Sequence, residues 1–152
     1  MKTLFVYLAL VSITASLSYG QAVKSSLAND LDFRQSLLKL MRYPSVAQRE
    51  EKAAKVYVGF KVDDQGKITD IEVLNKGNVD SSFRQEVGRF MKLLPVQKPM
   101  YAGDYVLPIV FDLEGTGRVI KFREEDVTFV QSLNKESLLK EVYVTGYITA
   151  NR

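Results

Sequence analysis

Residues 55–75 read KVYVGFKVDDQGKITDIEVLN, and this stretch decides the fold. Val56, Val58, Phe60 and Val62 alternate with Tyr57, Gly59 and Lys61, the period of two that marks a strand with one buried face. Asp63-Asp64-Gln65-Gly66 follows, with aspartate suited to the start of a turn and glycine able to take a positive φ. Lys67 to Leu74 then returns as a second strand with Ile71 and Val73 on one face. The stretch is a β-hairpin.

Downstream, Asp80 to Ser82 offer helix N-caps, and Ser82 with Gln85 has the spacing of a capping box. Phe83, Val87, Phe90, Met91 and Leu94 form one apolar stripe of the kind that packs on a sheet, while Arg84, Arg89 and Lys92 occupy the solvated side. Pro95 and Pro99 close this helix. Upstream, Asn29 and Asp30 cap a helix carrying Leu31, Leu37, Leu38, Leu40 and Met41. Pro44 stops it, because the residue before a proline disfavours the α region, and Pro44 also suits the start of a second short helical stretch.

A third strand is predicted at residues 104–115, where Tyr105, Leu107, Ile109, Phe111 and Leu113 alternate up to Gly115. Pro108 lies inside it. Proline cannot donate to a ladder, which predicts that this strand lies at a sheet edge or has a free side there. The expected class is α+β: a small antiparallel sheet, hairpin plus edge strand, with a helix packed on one face.

The chain has 152 residues, 46% hydrophobic and 26% charged, enough for one domain with a modest core. A formal charge of +3 is too small to imply nucleic acid, whose binders carry clustered basic stripes. There is no Cys, His or Trp, which removes thiol chemistry, His-based acid–base work, Ser-His-Asp triads and the usual zinc sites. A hard cation among Asp63, Asp64 and Asp70 is the enzymatic alternative; turn chemistry explains the same residues better, so a non-catalytic protein without cofactor is expected.

Residues 1–20, MKTLFVYLALVSITASLSYG, have the form of a cleaved export signal. Lys2 supplies the positive start, Leu4 to Leu17 the apolar run, and Ser18 and Gly20 the small residues before a cut that leaves Gln21 first. The run is shorter than the roughly 20 residues that span a bilayer; an inner-membrane anchor through residues 4–17 is the alternative. The chain thus divides into a signal (1–20), a domain with its leading helix (21–115) and a C-terminal extension with possible further strands (116–152), among them a hairpin of RVIKF and DVTFV. A periplasmic or secreted location follows.

The order helix, Tyr43-Pro44, hairpin, helix, Pro95, edge strand LPIVFDLE (107–114) resembles the C-terminal domain of TonB-type energy transducers over about Leu37 to Leu113. Ala47, the hairpin and Asp80 at the helix start carry the rest of the likeness. The chain departs from the family at Ala54, where glycine is usual, and at KLLP (92–95), where an aromatic motif is common. With four prolines and no His it also lacks a Pro-rich spacer and a functional histidine, so it is similar to the reading head of such a transducer without its shaft. The resemblance implies capture of an extended peptide, the TonB box of an outer-membrane receptor, by β-augmentation. The implied partner-binding residues are Tyr43 and Pro44 near one end and the strand Tyr105, Val106, Leu107, Pro108, Ile109, Val110 and Phe111. Leu107, Ile109 and Phe111 read as core; the backbone edge and outward-facing Val106, Pro108 and Val110 read as contact.

Residues 138–147, LLKEVYVTGY, are similar to the segment near the start of polysaccharide-uptake receptors where the TonB box lies. Leu139, Glu141, Val142, Val144, Thr145, Gly146 and Tyr147 match it; Lys140 and Tyr143 depart from it. This tail is either a strand of the domain's own sheet, or a transducer-binding peptide docked on its own domain or offered to another molecule. The implied partners are therefore a receptor's TonB-box-like peptide, or a TonB transducer through the tail. A structural envelope protein that oligomerises by its edge, including as a homodimer, is the alternative.

Overall fold

The structure, a computed structural model, describes residues 26–115, 128, 131–132 and 137–148. The proposed signal and most of residues 116–136, including the RVIKF segment and all of the DVTFV segment but Thr128, lie outside the described residues. Helices α1 (Leu31–Leu40), α2 (Ser45–Arg49) and α3 (Ser81–Met91) pack with strands β1 (Ala54–Val62), β2 (Ile68–Val73), β3 (Gly103–Glu114) and β4 (Val142–Tyr147). The strand order is β2-β1-β3-β4. The β1–β2 and β1–β3 pairs are antiparallel, but β4 runs parallel to β3. The α+β class holds, with a sheet that is mixed instead of all-antiparallel.

The hairpin forms for the reasons its residues give. Asp63 accepts hydrogen bonds from the Gln65 and Lys67 amides at 2.9 and 2.8 Å, and Gly66 sits at φ 82°. The return strand carries a bulge: Gly59 pairs with Glu72 and Lys61 with Thr69, so β2 has one residue more, and Asp70 takes φ 52°. The bulge lets Ile68 join Ile71 and Val73 against the core despite its even number.

The α3 stripe is core as expected, with Phe83, Val87, Phe90 and Met91 buried. Its N-cap, however, is Asp80, which accepts from the Ser82 amide; Ser82 lies inside the helix, so the Ser82–Gln85 capping box does not form. In α1 the buried face is Phe33 and Leu37, followed by Met41, whereas Leu31 and Leu38 point to solvent. A ten-residue helix packs one stripe only, and Phe33 takes the inner side by stacking beside Phe60 (centroids 6.2 Å apart).

The largest departure concerns β3. It is not an edge strand: β1 flanks it on one side and β4 on the other. Leu107, Ile109 and Phe111 are core, as read. Val106, Pro108 and Val110, expected to face outward, are buried on the opposite face of the sheet together with Tyr57. The tail supplies the missing neighbour, so the extra strand of the C-terminal extension is β4.

Candidate functional site

The site is the seam between β3 and the tail. The Val106 amide donates to the Ser137 carbonyl and the Leu139 amide donates to the Val106 carbonyl, both at 2.9 Å. Backbone groups alternate sides along a strand, so the even residues of β3 face the tail and the odd ones face β1. Pro108 is even; the N–H it lacks is therefore missing from the tail-facing ladder.

Pairing breaks at that point. Val106 pairs with Leu138 and Ile109 with Val142, so three steps on β3 match four on the tail, and Lys140 and Glu141 lie outside the regular strand. Where no donor is offered, the tail bulges and regains register at Val142. The donor that Pro108 lacks thus coincides with the break in register between β3 and the tail.

Side chains hold the tail on both faces. On the helix side Leu139 and Val142 enter the core next to Leu27, Phe33, Leu37 and Leu107. Gly146 lies beneath the ring of Tyr43 so closely that a Cβ at this position would fall 2.7 Å from Tyr43 Cγ. On the opposite face Lys55 of β1 reaches across β3 to form an ion pair with Glu141, which also accepts from the Tyr143 hydroxyl. Burial raises the Glu141 carboxyl, but the Lys55 and Tyr143 hydrogen bonds outweigh it and hold the group below its ordinary pKa. Burial likewise opposes the Lys55 charge, and Glu141 prevails, raising the ammonium. The Gln48 amide nitrogen donates to the Tyr147 carbonyl. Thr145 and the Tyr147 side chain are exposed.

Tyr43 is firmly held. Its ring meets Phe83 and Phe111 edge-on, with centroids 5.9 and 6.0 Å away, and its hydroxyl donates to the Lys52 carbonyl. Burial pushes that hydroxyl up to about 12. Pro44 restricts the backbone of the residue before it. The chain just upstream is tied to α3, where Glu86 accepts the Arg42 amide at 2.8 Å and Arg89 donates to the Leu40 carbonyl.

The expected residues therefore gather in part: Tyr43 and the β3 backbone meet the tail, while Pro44 acts through Tyr43. Lys55, Gln48 and the α3 pair Glu86–Arg89 were missed. Nothing local in the sequence marks them, because each acts on a segment distant in the chain. Among the described residues no group of acidic side chains is arranged to hold a metal ion, and the Asp63 carboxylate is engaged with turn amides.

Residues 39–113, from the last turn of α1 into β3, match the family model of the Gram-negative bacterial TonB protein C-terminal. The tail lies beyond the matched segment. Neither a curated protein nor a solved structure matches the chain.

Proposed function

We propose, on the premise that residues 39–113 belong to the TonB protein C-terminal family, that this protein is a non-catalytic interaction module of TonB-dependent transport across the outer membrane. It works in the periplasm and holds an extended peptide by strand addition to β3, the place its own tail fills in the resting molecule. One observation carries this reading. The β3 ladder accepts, in parallel, a strand that comes from outside the matched domain and is seated through a register break at Pro108. A backbone edge that takes a sequence-distant strand by main-chain pairing is the means by which sheets capture peptides. Membrane attachment or release rests with residues 1–20; among the described residues no helix is long and apolar enough to cross a membrane.

The burial of Leu139 and Val142 favours a second reading, in which the tail is a permanent strand and the protein is structural or self-associating. A titration separates the two. A fluorescent peptide of receptor-box type is added to the intact chain and to a chain ending at Ser137 whose fold is checked by circular dichroism. Tighter binding by the shortened chain is the expected result. No binding by a folded shortened chain overturns the strand-addition role.

A further inference from the structure

We propose that the tail-facing side of β3 selects its strand by glycine, accepting in parallel a peptide of the pattern Glu-Val-x-Val-x-Gly and refusing side chains at the last position. This rests on the strand-addition reading and specifies the peptide that the site takes. The tail is the built-in example of the occupant. Glu141 answers Lys55, Val142 fills the core beside α1, Val144 packs at the core margin, and Gly146 passes beneath Tyr43.

The refusal follows from what surrounds the Tyr43 ring. A Cβ on residue 146 would stand 2.7, 2.8 and 2.9 Å from three ring atoms, separations that such atoms do not tolerate. A flexible side chain would swing away. This ring is wedged against Phe83 and Phe111, tied through its hydroxyl to Lys52, and followed by a proline. The strand must then move away from the ring, which strains the pairs Phe111–Val144 and Leu113–Gly146. The residues on the other face are under no such demand: Tyr143 and Thr145 are exposed, so the pattern leaves their positions open.

The test uses the full chain with Gly146→Ala. Amide exchange within 142–147 is expected to accelerate about tenfold or more while β1 and β2 keep their protection; unchanged protection of β4 overturns the glycine rule. Synthetic peptides spanning 137–148, with glycine or alanine at the sixth residue of the pattern, are then titrated into the Gly146→Ala chain and followed by β3 amide shifts. The glycine peptide is expected to bind at least about tenfold more tightly. Equal binding of the two overturns the glycine rule and leaves strand addition standing. Failure of both peptides, on a chain whose β4 has come loose, overturns strand addition and the rule with it. A charge-reversed peptide, Glu141→Lys, gives the second measurement: it is expected to bind weakly to the Gly146→Ala chain and to recover when Lys55→Glu is added.

Discussion

Lys55 and Glu141 form an ion pair although a whole strand lies between theirs: Lys55 is on β1, Glu141 on the tail, and β3 runs between them. The pair clasps the tail across the interior strand at the place where main-chain pairing fails. Both side chains are largely shielded from solvent, so screening weakens it less than an exposed pair.

Glu141→Gln removes the charge and keeps the shape. The tail should loosen by about 1 kcal/mol, roughly fivefold in its opening equilibrium. Hydrogen exchange of β4 amides, read against those of β1, measures it; equal change in both strands would mean that the pair stabilises the whole fold and not the tail alone.

Acid should act on the same clasp. The Glu141 carboxyl sits below its ordinary value of 4.5 in the folded chain, so its contribution is complete above about that pH and is lost as pH falls through the lowered value. Lys55, raised above 10.5, contributes fully below that value and loses its share as pH rises through the raised one. Tail protection, normalised to intrinsic exchange, should therefore be flat between these limits and fall beyond each. In the Glu141→Gln chain the acid fall should vanish.

Asp30 fastens the start of α1 to the chain ahead of β3. It accepts the Phe33 amide at 2.9 Å, the Tyr101 hydroxyl at 2.8 Å and the Lys98 ammonium at 2.9 Å, and these bonds lower its pKa from 3.8 to about 2. Asp30→Ala should cost about 1–2 kcal/mol, measured by urea unfolding, since it removes a helix cap together with two further bonds. The loss should shrink as pH is lowered from 3.8 towards 2, where the native carboxylate itself becomes protonated.

Gly66 meets the backbone of Gln97: its carbonyl accepts the Gln97 amide at 2.7 Å, and a Cβ there would lie 1.9 Å from the Gln97 carbonyl oxygen. Gly66→Ala adds this clash to the strain of a positive φ and should destabilise by about 2–4 kcal/mol. A thermal midpoint within one or two degrees of the parent's would show that the 95–97 segment can move aside.

The hairpin, the α3 stripe, the helix before Tyr43-Pro44 and the α+β class were legible in the sequence because each is a local pattern, a period of two or 3.6 punctuated by proline, glycine or aspartate. The alternation at 105–113 gave β3, and Pro108 correctly announced a gap in a ladder. What it could not announce was which neighbour would face the gap. Pairing β3 with a strand some thirty residues further on depends on register between distant segments, which no local period encodes. The same holds for Lys55 with Glu141, and for Tyr43 with Gly146. Sequence by itself fixed the elements and the missing donor; only the packed tertiary structure decided that the tail fills the seam, because side-chain fit and strand order arise between segments and not within them.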